Sequence, residues 1–501
     1  MSIQPIKTIR KIQPYIPPLD GRRRYKGLLL DFNEKIGQDS DNIYPEYGLL
    51  RRTIADYCNV EDNQILVTAG AGSAISLVFR AYCELKDRVV IPSPSFELLF
   101  QAARITGAEI ISPAFDEVTG DFPLADVLSF NKNPKIIVVC NPNNPTGTLL
   151  EVSEIKKIAL KFKNSLILVD EAYFEYSNVS AIEAIRNCPN VIVIRTLSKA
   201  FGLAALRIGY VVANKGVIAT LQKVSNPYDV AMPSVLTAQQ ALKDSERVKA
   251  YANEVMNSSR RIIEDFFTEY AIPFYPSKSN FICFKVRDIS NIFDQLAKKD
   301  ILIRKVDSGS KLRVTLGPVK AAQSFVKTYK EILEQQSIEK VALIDRDGTL
   351  IFEPQDTYQI DEIDKLAILP KVEQGLKQLL ASGYRLIMVT NQDGLGSPGY
   401  PREKFLKVQN ALLMRLAQKD IYFDRVFVCP HMPNDNCVCR KPKTMLVSIF
   451  FKQYWIDKEQ SLVVGDRQTD KDFAKNLGLP VVAMKTNAAF PRINLNRKKE
   501  T

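Results

Sequence analysis

Short apolar runs rich in β-branched residues recur through the first half of the chain as "QILVTA", "RVVIPS", "KIIVVC", "SLILVD" and "NVIVIRT". Between them lie stretches with apolar residues at helical spacing, such as "SAISLVFRAYCEL" and "VSEIKKIALKFK". Continuous rather than alternating apolar strands are buried on both faces, so this rhythm predicts a largely parallel sheet covered by helices. Ligands of such sheets gather at the carboxyl ends of the strands, which is where candidate chemistry is sought.

From about residue 245 to 335 the pattern changes to a long helical segment followed by "FICFKV" and "KLRVTLG", as expected of a smaller α+β lobe. After the polar "EQQSIEK" the strand–helix alternation restarts with "VALIDRDGTL", "YRLIMVTNQ", "RVFVCP" and "SLVVGD". The reading is of two segments, 1–336 and 337–501, both α/β, without internal repeats.

At 501 residues the chain exceeds what one hydrophobic core usually spans, which agrees with that division. No apolar run has membrane-spanning length, and the start, "MSIQPIKTIRKIQPYIPPL", places prolines and charges where a signal peptide needs an apolar stretch. Cys58, Cys83, Cys140, Cys188 and Cys283 are scattered without a pairing pattern, as in reduced proteins. A cytoplasmic protein without membrane partners is expected. The net charge of +12 is dispersed apart from "RRRYK" and a basic C-terminal stretch, which reads as a solvated face and a preference for anionic small molecules rather than nucleic acid.

His431 is the only histidine. A catalytic histidine elsewhere in the chain is therefore excluded, and proton transfer falls to Lys, Asp, Glu, Tyr or Cys. In the first segment "TLSKAFGLAALRIGY" puts Lys199 straight after a strand, beside Ser198 and ahead of Arg207. "SLILVDEAYFEY" ends a strand at Asp170 with Tyr173 following, "CNPNNPTGT" places Asn144 in a turn, and "TAGAGSAI" opens a helix with a glycine-rich turn suited to a phosphate. A buried carboxylate, a tyrosine, an asparagine, a phosphate cradle and a lysine form the set that pyridoxal phosphate needs.

These motifs resemble the fold-type I aminotransferases and, within them, the histidinol-phosphate aminotransferases, over roughly residues 5–335. The resemblance implies a large α/β domain with a small α+β lobe and Lys199 as the Schiff-base lysine. Asp170 would face the pyridine nitrogen, Asn144 and Tyr173 the ring hydroxyl, and Phe96 would stack on the ring. Ala71 and Gly72 amides, Ser198 and Arg207 would hold the cofactor phosphate, with Tyr44 reaching that of a partner subunit in a homodimer. Tyr15, Arg304 and Arg313 fall where the family grips the substrate phosphate, and Arg313 would also take the carboxylate of glutamate or 2-oxoglutarate. Two departures stand out: "NEKIG" where the family has a NENP-like entry, and Gly72 with Ser73 where an acidic pair is expected.

In the second segment "VALIDRDGTL" delivers Asp345 and Asp347 at the end of a strand, followed by Gly348 and Thr349. A later strand ends at Thr390 and Asn391, "RKPK" supplies Lys441, and "VVGDRQTD" supplies Asp466 and Asp470. The order resembles the haloacid-dehalogenase-like phosphatases, with a Rossmann-like fold. "TYQIDEIDKLAILP" and "TNQDGLG" are similar to the histidinol-phosphatases within that superfamily. By that resemblance Asp345 is the nucleophile and Asp347 the general acid and base, while Thr390, Lys441 and Asn391 attend the phosphoryl group. Mg²⁺ would sit on Asp345, Asp347 and Asp466, supported by Asp470.

"CPHMPNDNCVCRKPK" gathers Cys429, His431, Cys437 and Cys439, one imidazole and three thiols in a loop poor in core-forming residues. Four such ligands suit a closed, structural Zn²⁺ and leave no open position for catalysis. The combined expectation is a bifunctional histidine-biosynthesis enzyme in which the first domain makes histidinol phosphate and the second removes its phosphate. The alternatives are a phosphatase for another small ester such as heptose bisphosphate, and a non-catalytic scaffold domain.

Overall fold

The computed structural model describes residues 3–36, 42–335 and 337–493; residue 336, the expected end of the first segment, and the basic C-terminal stretch lie outside them. Two compact units emerge. One runs to Ser258 and includes Ser277–Phe281; the other holds Ser259–Pro276 and the chain from Ile282 onward.

The first unit is built on a seven-stranded sheet of β1 (Ile65–Thr68), β2 (Arg88–Val90), β3 (Glu109–Ile111), β4 (Ile136–Cys140), β5 (Leu166–Asp170), β6 (Val191–Thr196) and β7 (Gly209–Ala213), in the order β1-β7-β6-β5-β4-β2-β3. β7 runs antiparallel to both its neighbours, and the remaining pairs are parallel. Every residue of β4 to β7 is buried, which is why their sequences are largely apolar, interrupted only at their ends by Asp170 in β5 and Arg195 and Thr196 in β6. Helix α1 (Gly70–Tyr82) lays Ile75, Val78, Phe79 and Tyr82 into the cluster formed by Leu166, Leu168, Ile192, Ile194 and Val211. That spacing gives α1 one apolar face, and burial of each large side chain contributes about 1.5–3 kcal/mol.

The second unit carries two sheets. β8 (Phe281–Phe284), β9 (Arg304–Val306) and β10 (Lys311–Thr315) form a three-stranded sheet in the order β8-β10-β9. Helix α2 (Arg260–Glu269) belongs to the same lobe, its Phe266 and Phe267 rings packing against Tyr329 at 5.5 Å and Phe284 at 4.7 Å. The other sheet comprises β11 (Val341–Ile344), β12 (Arg385–Asn391), β13 (Arg425–Cys429), β14 (Leu462–Gly465) and β15 (Val481–Ala483), all parallel, in the order β13-β12-β11-β14-β15. The strand order reverses at β11, and a crevice opens there beyond the carboxyl ends.

Helix α3 (Arg402–Ala417) lies within this unit and is buried on almost every side, from Phe405 to Ala417 save Lys407 and Arg415. Gln409 faces the five-stranded sheet, its Nε2 donating to Met388 Sδ at 3.4 Å. Asn410, one residue on, faces the segment after α2, its Oδ1 accepting the Phe274 N–H at 3.0 Å. A helix covered on opposite sides has no polar stripe to show. Helix α4 (Gln468–Leu477) follows β14 and buries Phe473, Ala474 and Leu477.

Candidate functional sites

In the first unit, predicted residues converge at the carboxyl ends of β5 and β6. Asp170 closes β5, 2% exposed, with Oδ1 accepting the Ala172 N–H at 3.1 Å. Burial pushes its carboxyl up to about 6, opposed by that backbone N–H and by the Lys199 charge. Asn144 Nδ2 donates to the Tyr173 hydroxyl at 3.3 Å, and Lys199 Nζ lies 5.6 Å from the centre of the Tyr173 ring. One lysine and one amide thus gather around the Tyr173 phenol, and the Lys199 charge also reaches the buried Asp170.

The phosphate end is equally local. α1 begins without a side-chain cap, which leaves the first-turn amides, including those of Ala71 and Gly72, for an anion. Arg207 has a left-handed backbone and donates to Ser198 Oγ at 3.5 Å. Gly70, at φ +82°, is packed so closely that a Cβ would meet Arg207 Nη2 at 2.5 Å. A side chain there would drive the guanidinium off the helix terminus, so glycine is required on steric as well as conformational grounds.

Phe96 precedes the helix Glu97–Ile105 and is 39% exposed. Tyr44 and Tyr15 are also exposed, and both meet Tyr228: the Tyr44 ring centre lies 4.5 Å from that of Tyr228, and the Tyr15 and Tyr228 hydroxyls are 3.1 Å apart. Tyr228 was not marked by the sequence. Within the second unit Arg304 and Arg313 are direct partners across β9 and β10, so they share one face of the sheet. Two adjacent guanidinium groups repel unless an anion joins them.

The crevice at β11 holds the acids of the second segment. Lys441, 4% exposed, donates from Nζ to Asp345 Oδ1 at 2.5 Å, Asp470 Oδ1 at 2.7 Å and the Val389 carbonyl at 2.9 Å. Burial raises the Asp345 carboxyl above its ordinary range, the Asp470 and Asp347 charges add to this, and the Lys441 ammonium opposes it. Asp345, Asp466 and Asp470 each bring a carboxylate oxygen within 4.8 Å of the others. Asp466 accepts the hydroxyls of Thr349 at 2.8 Å and Thr486 at 2.6 Å, while Asp470 Oδ2 accepts the Arg467 N–H at 3.1 Å.

Asp347 is held at both oxygens. Arg346 Nε donates to Oδ1 at 2.9 Å, and Gln392 Nε2 to Oδ2 at 2.6 Å, with Thr390 Oγ1 at 3.5 Å. Gln392 is fixed in turn by the Tyr400 hydroxyl, which donates to its Oε1 at 2.9 Å. Asn391 turns to Lys441 instead, accepting its N–H at 3.0 Å and donating to its carbonyl at 3.4 Å. A cleft of about 340 Å³ opens over these groups, bounded further by Glu353, Tyr358, Met432 and Arg467.

Cys429, His431, Cys437 and Cys439 also converge. Cys429 Sγ lies 3.7 Å from His431 Nδ1, 3.7 Å from Cys437 Sγ and 3.4 Å from Cys439 Sγ, and His431 Nδ1 lies 3.2 Å from Cys439 Sγ.

Comparison with known proteins separates the two halves. The profile of the aminotransferase class I and II family matches residues 31–327. The chain belongs to the class I and II aminotransferases.

Among its relatives, a histidinol-phosphate aminotransferase of Thermoanaerobacter sp. (strain X514) is 35% identical over 61% of this chain and 89% of its own length. Histidinol-phosphate aminotransferase 1 of Legionella pneumophila (strain Philadelphia 1) is 34% identical over 58% of this chain and 84% of its own. A solved structure, described as a putative histidinol-phosphate aminotransferase from Erwinia carotovora atroseptica, superposes with a TM-score of 0.55 at 27% identity, covering 59% of this chain and 89% of that one. A second profile, HAD-hydrolase-like, matches residues 438–495, within the second unit of the aminotransferase chain.

Pyridoxal phosphate is the cofactor of this family, and the residues present fit it. A buried carboxylate, an uncapped helix start and an arginine kept at that start by a glycine are what its pyridine and phosphate ends require. In the second unit the sequence reading missed Arg346, Gln392, Tyr400 and Thr486. Gln392 lay inside the quoted "TNQDGLG", but only the fold turns its amide toward Asp347.

Proposed function

We propose that this aminotransferase exchanges the amino group between imidazole-acetol phosphate and histidinol phosphate, with glutamate and 2-oxoglutarate as the other pair. We propose further that the segment from 337 hydrolyses histidinol phosphate. The names of the relatives support the first step, as does the Arg304–Arg313 pair, which suits a phosphate and a carboxylate. The second step rests chiefly on one observation: a buried lysine between Asp345 and Asp470, with Asp347 two residues further along the same loop. A scaffold domain would have no use for two buried acids and a lysine at a sheet's carboxyl edge.

In the first reaction Lys199 would hold the cofactor, and its Nζ would carry the proton at the amine-bearing carbon of the substrate. When bound, pyridoxal phosphate supplies the electron sink for that carbon. Asp170 would stay ionised opposite the pyridine nitrogen, Asn144 and Tyr173 would bond the ring hydroxyl, and Phe96 would cover the ring. Ala71, Gly72, Ser198 and Arg207 would hold the cofactor phosphate. Tyr44, exposed beside Tyr228, completes the site of a partner subunit in a homodimer.

In the second reaction an Asp345 oxygen bonds to phosphorus as the ester bond to the histidinol oxygen breaks. Asp347 gives that oxygen a proton, then takes one from the water that releases phosphate. Lys441 and Thr390 neutralise and orient the phosphoryl oxygens, and Asn391 fixes the backbone of Lys441. Asp345, Asp466 and the Asp347 carbonyl would hold Mg²⁺, which supplies charge neutralisation at phosphorus; Asp470 keeps Lys441 in place. The reading is tested by supplying histidinol phosphate, and heptose bisphosphate as competitor, with Mg²⁺ or with excess chelator. Phosphate release from histidinol phosphate that stops with chelator supports it; preference for the heptose ester overturns the substrate.

The cysteine loop is proposed to bind one structural Zn²⁺. Tetrahedral bonds of about 2.3 Å to sulfur and about 2.0 Å to nitrogen separate ligand atoms by roughly 3.5–3.8 Å, close to the distances among these four. Arg440 and Lys441 follow the last ligand directly, so the metal sets where Lys441 starts. Cys439→Ser is expected to reduce zinc from one to well below one per chain by elemental analysis. The melting temperature of the second unit should fall by roughly 5 °C or more. Full zinc content in the variant would refute the assignment.

A further inference from the structure

We infer that the small lobe of the aminotransferase positions the phosphatase residue Asp347, acting through helix α3; this rests on the phosphatase reading above. The connection is continuous within the second unit. On its outer side α3 is fastened to the lobe at two points. Arg402 Nη1 donates to Glu264 Oε2 at 2.8 Å and its Nη2 to Asp265 Oδ1 at 2.5 Å, both carboxylates on α2. About two turns further on, Asn410 Oδ1 takes the Phe274 N–H at 3.0 Å, while its Nδ2 donates to the Leu406 carbonyl at 2.8 Å.

On its inner side the same helix reaches the catalytic loop. Gln409 Oε1 accepts Arg346 Nη1 at 3.3 Å, and the Arg346 guanidinium lies 5.4 Å from the centre of the Phe405 ring. Arg346 is 1% exposed and donates from Nε to Asp347. The turn that leads into α3 contributes Tyr400, which orients Gln392 on the other Asp347 oxygen. Both oxygens of Asp347 are therefore fixed by groups whose own position is set by α3 or its entry.

A buried guanidinium has few alternative partners, so a shift of α3 is felt at Asp347 instead of being absorbed by water. Glu264, 2% exposed, is equally committed: losing Arg402 leaves its charge facing the phosphatase helix with Arg260, at 3.8 Å, as its remaining ion-pair partner among the described residues. Arg402, Glu264 and Asn410 are positioning residues. None touches the cleft.

The test uses the full-length chain loaded with both metals and measures phosphate release from histidinol phosphate. Arg402→Ala and Asn410→Ala are each expected to lower kcat by about 3- to 30-fold with KM changed less than about twofold, the range over which such networks act. Arg402→Lys, which keeps the charge beside Glu264, should recover most of the loss. Glu264→Gln, which keeps size and leaves the phosphatase segment unaltered, should reproduce part of it. In a double-mutant cycle, Arg402→Ala should cost less on a Gln409→Ala background than alone, because the connection is already cut.

Unchanged kcat in the folded Arg402→Ala and Glu264→Gln variants overturns the inference, as does full additivity in the cycle. A wild-type chain that releases no phosphate overturns the phosphatase reading itself. Release by wild type that Arg402→Ala leaves unaffected overturns only the role of the lobe.

Discussion

Lys199→Ala is expected to lower amino transfer by at least about 10³-fold, within the range that loss of a positioned acid–base group alone can produce. Phosphate release from histidinol phosphate should continue at the wild-type rate. The spectrum gives a readout independent of turnover: the absorbance from covalent attachment to lysine disappears, while cofactor still binds through Asp170, Arg207 and the α1 amides, more weakly. Arg207→Ala should do the opposite, keeping the lysine-linked absorbance at saturating cofactor but shifting its titration to higher concentration. An unchanged spectrum in Lys199→Ala would exclude Lys199 as the attachment point.

The second large effect is expected at Asp345. Asp345→Asn removes the proposed nucleophile and should reduce phosphate release by about 10³-fold or more while amino transfer stays intact. A stability readout accompanies it. The folded-state carboxyl lies above its ordinary range because of burial, so the folded state takes up a proton more readily than the unfolded chain. Stability is then greatest below the unfolded pKa and is lost as pH rises toward the folded one. In metal-free protein Asp345→Asn should therefore melt at or above the wild-type temperature at pH 8, with a smaller difference at pH 5. Mg²⁺ should raise the melting temperature of wild type but not of the variant. A variant that loses both activities would point to a folding defect instead of a lost nucleophile.

Much of the fold was legible because buried strands such as "KIIVVC" and "VALI" need apolar side chains on both faces, and that pattern survives in one dimension. β3 and β15 were not, each being three residues long at the edge of its sheet, too short for periodicity to register. Asp345, Asp347 and Asp466 could be picked out as candidates because strand ends deliver them in fixed order. Lys441 came from a motif, and its placement between Asp345 and Asp470 needs the chain folded, since those residues stand 96 and 29 positions away. Gln392 and Tyr400 illustrate the limit: an amide that holds an aspartate and one that caps a turn look alike in sequence. The doubly covered α3 illustrates another. A helix without a polar stripe reads as a core helix, and nothing in its letters says that part of what covers it comes from 136 residues upstream.

That helix bears on how the two halves could ever part. Leu406, Leu413 and Ala417 share the face of α3 that carries Asn410, and all three are buried. A gene split near residue 337 would hand the shorter product an apolar strip with no lobe to cover it, a surface prone to sticking to other chains. Separation would first need those positions to turn polar, several changes with no benefit until the last. The join between the halves is easier to evolve into than out of.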